Sequence, residues 1–575
     1  MGASREIVEH LENAQSSLSE GMSPEAKGGG GLEGGHPLEH IDSVRNEVNF
    51  RFIMTMLGFS LTFIVAEIIP LFLITLFTVI AFDLGASGYS IWLLNAQTIA
   101  VGAIAPFVGR LSDLLGRKQI TLISLSFTVI AMITLGTAKT IAAALAAQCL
   151  SGTAIGMQLL TTLSAVTELV PTSRRGATIG YIVIGYMPFA PGSLYGQQLA
   201  THSWRWVCVF VGVMAVMAFV IIAIFYNPPP RPNATGLTKR QILARIDYLG
   251  GFLSVSGIVV FLIGLNWGGQ TYAWSSPHVI AALIVGLFLI VCFWAWEYCA
   301  LYPMFPGALA QHKTFTAVLL LCLTSGINYI PGIVFWVIQV YTVYDATFAQ
   351  AGAYLLPIGF CIAGGAMISA ILMTVFKQHI HFILLGFCIM QTAGLGCMAT
   401  ADPENINTAW APLILGLLGV GGVLLPSQVV FSIISPPEHI GASVALSIVV
   451  RSAGQVIGVS MFYNIFKQNI TKSVDTHVQE FLVPAVGLVG ADPAAITSLL
   501  TALTAGPFDV YAHLFNATTQ AQIDAIVKGG HEVYKGCFGE LYLISTAFGG
   551  AAILCFFFLA DIRKFMNDNV AVHLG

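Results

Sequence analysis

Gly109-Arg110-Leu111-Ser112-Asp113-Leu114-Leu115-Gly116-Arg117-Lys118 sits between two long apolar stretches, and its reading decides the fold. Gly109 and Gly116 permit a tight turn with close backbone approach. Asp113 can accept hydrogen bonds from the N-terminus of a neighbouring helix, where the dipole favours an anion. Arg117 and Lys118 place cations at an interface. A cluster of this kind latches one bundle of helices against another and releases it as the bundles rock. The plainer reading is a basic loop between two membrane helices.

The rest of the chain says which solvent those helices face. Of its 575 residues, 56 % are hydrophobic and 9 % charged, and the mean hydropathy is +0.82. A soluble protein carries about 25 % charge. The composition excludes an ordinary cytosolic enzyme and a disordered scaffold. With a net charge of −4 there is no broad cationic surface for phosphates, which argues against a nucleic-acid partner. What remains is a polytopic protein whose solvent is the lipid bilayer. Cys149, Cys208, Cys322, Cys361 and Cys555 lie in apolar runs and read as small buried hydrophobes, and Cys537 stands near a boundary with no evident partner. No CxxC pair occurs, so no metal, redox centre or other cofactor is expected.

Segments of about 20 apolar residues are the unit of a bilayer crossing. They fall near 52–80, 90–109, 119–137, 141–168, 177–200 and 204–226, then 249–267, 278–300, 315–342, 350–376, 380–399, 409–435, 440–466 and 540–560, fourteen in all. Loops after even-numbered spans hold eleven Lys and Arg, among them Arg110, Arg117, Lys118, Arg174 and Arg175. Short loops after odd-numbered spans hold Lys139 and Arg205. The even loops and both termini are therefore expected in the cytoplasm.

The organisation follows. Residues 1–50, with nine acids against three bases and a run of glycines from Gly28 to Gly31, read as a flexible acidic cytoplasmic tail with no cleavable signal. An N-terminal six-helix half is expected over 51–226, a cytoplasmic linker over 227–247, two inserted helices over 248–300, a C-terminal six-helix half over 301–565 and a short tail over 566–575. The exterior loop 467–539 belongs to the second half. It carries sequons at Asn469 and Asn516, read as glycosylation sites, and its helical periodicity predicts partial order over the exit. A third sequon, at Asn233, lies on the predicted cytoplasmic side. Pro171 to Gly176 and Pro436 to Gly441 are both Pro-x4-Gly and both link two spans on the predicted cytoplasmic side, after the fourth and the twelfth, one in each half. Repeated halves of this sort belong to transporters.

The opening segment resembles the G-x-L-x-D-x-x-G-R-K/R signature of the major facilitator superfamily. Glu168-Leu169-Val170-Pro171 with Arg174-Arg175-Gly176, then Ser203-Trp204-Arg205-Trp206, resemble its fungal fourteen-helix drug transporters. Leu237-Thr238-Lys239, Asp247-Tyr248-Leu249-Gly250 and Gly264-Leu265-Asn266-Trp267-Gly268-Gly269 look most like the fungal trichothecene efflux pump family. The resemblance implies an all-α membrane protein with two pseudo-symmetric halves plus two added helices. It implies gating roles for Gly109, Asp113, Gly116, Arg117, Lys118, Glu168 and Arg175, and export of a fungal toxin, secondary metabolite or drug. Two departures stand out. Gln148 occupies the place of a helix-four arginine found in many proton-driven relatives. Ala190-Pro191-Gly192 shifts the Gly-Pro step of the antiporter motif, of which Gly176 and Gly185 remain.

An ionisable side chain inside a membrane helix costs about 2.5–3.5 kcal/mol or more, so it marks function or a buried partner. Glu67, three residues before Pro70, reads as an acid that loads and releases a proton. A structural acid bonded to a helix carbonyl is the competing reading. Arg451 reads as an anion-attracting or acid-pairing residue. Asn95, Gln97, Gln158, Asn328, Trp336, Gln339, Tyr354 and Gln455 are candidates, with Arg451, for lining a central cavity that takes a hydrophobic or amphipathic small molecule. Helix packing is the alternative for each. No Walker pattern, HExxH or nucleophile elbow occurs, so neither ATP drive nor an enzyme is expected. The reading is a monomeric, proton-coupled exporter of the plasma membrane, or of the vacuolar membrane. Proton-coupled uptake of a siderophore–iron complex is the alternative, and a sensor on a transporter frame is a more remote one.

Overall fold

In a computed structural model the described residues are 50–169, 175–228, 247–269, 271–300, 313–376, 379–434, 440–515, 517 and 519–558. They form α-helices throughout, with no named strand among them. The N-terminal bundle comprises α1 (Phe50–Asp83), α2 (Ser90–Leu115), α3 (Arg117–Gly136), α4 (Ile141–Glu168), α5 (Arg175–Tyr186), α6 (Gly192–Ala200) and α7 (Arg205–Phe225). The predicted fifth span, 177–200, is thus two helices. Pro188 and Pro191 cannot donate to a helix ladder, and the chain passes through a 3-10 turn at Met187–Phe189 between α5 and α6.

Next come α8 (Tyr248–Trp267) and α9 (Pro277–Cys299). Asp247 caps α8, its Oδ1 accepting from the Gly250 N–H at 2.8 Å. The second bundle runs through α10 (Lys313–Asn328), α11 (Trp336–Thr342), α12 (Phe348–Tyr354), α13 (Leu356–Val375), α14 (Ile380–Cys397), α15 (Asn407–Ile434) and α16 (Ile440–Thr476). A buried π-turn, Pro331–Phe335, separates α10 from α11 inside the predicted span 315–342. After α16 the chain forms α17 (Val483–Val489), α18 (Pro493–Ala505), α19 (Phe508–Tyr511) and α20 (Gln520–Lys535), and it returns through α21 (Gly539–Cys555). Among the described residues, thirteen helical runs are long and apolar enough to cross a bilayer. The pair Val478–Val489 and Pro493–Ala505 folds back by 113°.

Lipid is as apolar as leucine, so burying leucine does not hold these helices together; close packing and polar bonds do. Gly152 and Gly156 bring α4 onto the α2 backbone at Gln97 and Val101. Gly421, in the glycine-rich run 419–422, lies against the Ile362 carbonyl of α13, and Gly419 against α14 at Gln391. Large apolar side chains remain exposed around the outside, including Ile133, Val213, Phe288 and Ile371, as a lipid-facing wall requires. Cys149, expected to be buried, is exposed on α4. Only 17 % of the apolar stretch of α9 is buried, so the inserted pair is peripheral.

The segment after α16, expected as a partly ordered exterior loop, is helical over much of its length, and α16 itself is longer than expected. Helix α16 runs ten residues past the predicted end of its span, to Thr476. Asn469 therefore lies in a helix. Its Nδ2 donates to Glu540 Oε2 at 2.9 Å and to the Cys537 carbonyl at 3.4 Å, and this engagement departs from the exposed loop expected of a sequon. Asn516 and Asn233 lie outside the described residues. The segment's Phe481, Leu499, Leu503, Phe508, Ile526 and Val533 are buried and join the main apolar core of the bundles. It packs on the outer end of α11.

Candidate transport site

The two bundles meet along two seams. At one, α16 lies against α2, with Ser452 facing Gly102. At the other, α12 and α13 lie against α6, where Gly359 abuts the Ala190 carbonyl. A third contact sets α16 against α10 within the second bundle: a methyl on Gly326 would come 3.0 Å from the Arg451 carbonyl and 3.6 Å from its Cγ. The stem of the Arg451 side chain thus lies against α10.

Glu67 lies on α1 of the first bundle. The two charges, 384 positions apart in sequence, feel each other electrostatically from opposite bundles. Neither makes a direct hydrogen bond or ion pair among the described residues. Tyr186, at the end of α5, lies in range of Glu67, and its ring meets Phe63 edge-on at 6.1 Å. Tyr329, just before the π-turn, lies in range of Arg451, and its hydroxyl accepts from Gln455 Nε2. Two carboxyl and guanidinium groups thus share one region with two phenols and an amide. Sequence reasoning had Glu67, Arg451 and Gln455 but missed Tyr186 and Tyr329. Both stand within two residues of a proline that breaks a membrane helix (Pro188 and Pro331), and such breaks often mark functional sites.

The other cavity candidates point elsewhere. Asn95 Nδ2 donates to Asn266 Oδ1 of α8 at 2.9 Å, and the Ser460 hydroxyl of α16 donates to the same oxygen at 3.2 Å. Gln97 Nε2 donates to Ser151 Oγ at 3.2 Å and to Gln148 Oε1 at 3.4 Å, tying α2 to α4. Gln158 donates to Thr128 of α3 at 2.9 Å, and Asn328 to Thr392 of α14 at 3.4 Å. Trp336 is fully buried and donates to the Tyr354 carbonyl at 3.0 Å. Gln339 accepts from the Tyr542 hydroxyl at 2.8 Å, and the Tyr354 ring meets Trp410. These residues hold helix to helix, and the structure does not gather them around one cavity.

At the end expected in the cytoplasm, Gly116 joins α2 to α3 at φ 96°, a left-handed backbone that favours glycine. Arg117 donates to Ser112 Oγ, and Lys118 donates to the Ala223 carbonyl at 2.8 Å, capping α7. Both bonds stay within the first bundle. Gly109 lies in the last turns of α2. The side chains of Asp113, Glu168 and Arg175 lie outside the described ones, as do Arg174 and Pro171.

The opposite end is the one expected to face outward. Asp83 pairs with Arg205 at 3.0 Å and accepts from Trp204 Nε1 at 3.0 Å. Tyr511 of the exterior segment meets the Phe82 ring edge-on at 4.6 Å. Desolvation and then Asp83 push the Tyr511 hydroxyl up to about 12, so it packs as a neutral ring. Beside it Val343, Tyr344, Asp345, Glu404 and His531 border an outward cleft of about 410 Å³. Desolvation, then Asp509, raise the Asp345 carboxyl above the usual carboxylate range; His531 pulls it down and Asp524 pushes it up.

Two helical bundles apposed along two seams, each carrying one charge within electrostatic range of the other, define a membrane transporter of the major facilitator fold. Solved structures carry the same fold. A bacterial homolog of the human lysosomal transporter Spinster superposes with TM-score 0.54 at 14 % identity, over 87 % of this chain and 95 % of that one. The proton:xylose symporter XylE does so with TM-score 0.52 at 12 % identity, over 89 % and 99 %. The family model described as fungal trichothecene efflux pump (TRI12) matches residues 46–574, and the chain belongs to that family. Similar relatives include the trichothecene efflux pump of Fusarium sporotrichioides, 24 % identical over 85 % of this chain and 82 % of the relative. A transporter of the acurin A biosynthesis cluster in Aspergillus aculeatus is 23 % identical over 94 % and 95 %. The protein is a multi-pass transporter of the efflux-pump kind, not an enzyme.

Proposed function

We propose that the protein expels a hydrophobic or amphipathic fungal metabolite or toxin across the plasma membrane by alternating access, and that the return of protons drives it. The observation that carries the reading is the pair Glu67 and Arg451, which feel each other electrostatically from opposite bundles without bonding directly. Ionised Glu67 attracts the guanidinium and draws the bundles together. Protonation removes that attraction. A proton bound at Glu67 thus changes the relative energy of the two arrangements, which is what coupling requires. Tyr186, Tyr329 and Gln455 supply hydroxyl and amide groups beside the pair, a few polar anchors in an otherwise apolar region, which suits an amphipathic ligand. The reading keeps two six-helix halves over 51–226 and 301–565, a working monomer, and a gating role for Asp113, Arg117, Glu168 and Arg175.

The test is accumulation of a trichothecene in cells expressing the wild type or Glu67→Gln, at several external pH values. The wild type should lower accumulation, more so at acid external pH, and the variant should lose that pH dependence. A variant that exports like the wild type would remove Glu67 from coupling. Raised accumulation of a ferric siderophore by the wild type would replace export with uptake.

A further inference from the structure

Short helix α6 is held from both sides. Gln197, fully buried, donates from Nε2 to the Thr75 carbonyl of α1 at 2.8 Å. Its Oε1 accepts from the Tyr341 hydroxyl of α11 at 2.6 Å. One turn earlier the buried Ser193 hydroxyl donates to the Leu355 carbonyl at 2.8 Å. Thr75, Ser193 and Gln197 belong to the first bundle; Tyr341 and Leu355 belong to the second. The outer seam is therefore stitched by two cross-bundle hydrogen bonds, one of them between side chains. Tyr341 is 4 % exposed, and its ring packs edge-on to Phe348 at 6.1 Å.

Burial makes such a bond switch-like. While closed, each partner would be an orphan without the other, and an orphaned buried polar group costs more than a bond contributes. The two can part without penalty only if water reaches both, which means that the bundles have separated outward. We propose that Gln197 and Tyr341 are the outer latch of the transport path, bonded in this arrangement and parted when the path opens to the exterior. The proposal rests on alternating access but not on proton drive or on the identity of the cargo. Both are positioning residues: they set which side is open.

The test reads accessibility, so it is independent of transport. A reporter, Leu71→Cys, lies one turn deeper than Thr75 on α1, in full-length protein whose exposed Cys149, Cys299 and Cys397 are changed to serine. A membrane-impermeant maleimide is applied from outside. Tyr341→Phe keeps the ring and removes only the hydroxyl, and it should speed labelling about five-fold, the equilibrium shift expected for one hydrogen bond. Gln197→Leu should act in the same direction. The double variant should label no faster than Tyr341→Phe, because one cross-bundle bond is lost in all three. Labelling unchanged by Tyr341→Phe, or a double effect equal to the product of the single ones, would overturn the latch. A second reporter, Ala215→Cys, is buried in α7 away from the seam. Equal acceleration there would also overturn it, since that would mean general loosening.

Discussion

Replacing Gly359 by alanine should unbalance the transporter without unfolding it. A methyl on Gly359 of α13 would overlap the Ala190 carbonyl oxygen outright and lie 2.8 Å from Leu71 Cδ2. Real Cβ atoms do not come within 3.0 Å of a neighbour. The obstacle is a backbone oxygen at the break between α5 and α6, so no rotamer change relieves it. The two backbones must part by about 1 Å or more, which in a close-packed seam costs about 2–3 kcal/mol. That cost falls only on the arrangement in which α13 touches Ala190. Seen as a population change, it is a 30- to 150-fold shift, by order of magnitude, toward an outward-open path. Thiol labelling at Leu71→Cys from outside should rise accordingly, and export should fall while membrane abundance stays near normal. Gly386→Ala is the control: nothing lies within 4 Å of a methyl there. If Gly359→Ala exports and labels like the wild type, the outer seam does not close during transport as described.

Asn95→Leu should lower the thermal midpoint of the detergent-solubilised protein by an amount worth about 0.6–1.7 kcal/mol, and the double change Asn95→Leu/Asn266→Leu should recover part of it, because both polar partners are then gone. Gly116→Ala should cost about 1–3 kcal/mol by the same measurement, since φ 96° disfavours a side chain whatever the space. Asp345→Asn bears on pH. Asp345 titrates above the usual carboxylate range in the folded protein. Its share of stability is therefore present at acid pH and is lost as pH rises through the folded value. The wild-type midpoint should fall as pH rises through that window, and the asparagine variant should show a flatter profile. Asparagine also tolerates the left-handed backbone at this position, φ 43°. An unchanged profile would remove Asp345 from the packing of the exterior segment.

What the sequence made legible was whatever a single residue or a local run can carry. Twenty apolar residues are a crossing wherever they occur, so the spans stood out. Glu67 and Arg451 stood out because charge in that setting has a price whatever its partner. Partnership is another matter. Asn95, Gln158 and Asn328 are polar residues in membrane helices just as Gln455 is, and only packing sends three of them to a neighbouring helix and one beside Tyr329. Pro188 and Pro191 were in plain view, yet 177–200 was read as one span, and nothing local said that the short helix beyond the break would carry Gln197 to Tyr341, 144 residues away. The start of the exterior segment was misjudged for the opposite reason. Its periodicity was visible, but α16 runs on past Phe466 because Asn469 and Ser473 find partners near α21, and those partners come from a distant stretch of chain.

The inserted pair has a consequence for where cargo enters. Helix α8 bonds to α2 through Asn266 and to α16 through Asn266 and Gly268, and Leu262 fills the groove between Ile99 and Val456. One flank of the α2–α16 seam is thereby walled off from the hydrocarbon by α8, with α9 outside it. A lipophilic molecule dissolved in the membrane meets a sealed side there. On α5, Tyr181 and Ile184 are 71 % and 57 % exposed, and among the described residues α8 and α9 do not pack substantially against α5. Among the described residues, then, the two flanks are covered unequally: α8 lies over the α2–α16 seam, while this face of α5 is left to the hydrocarbon.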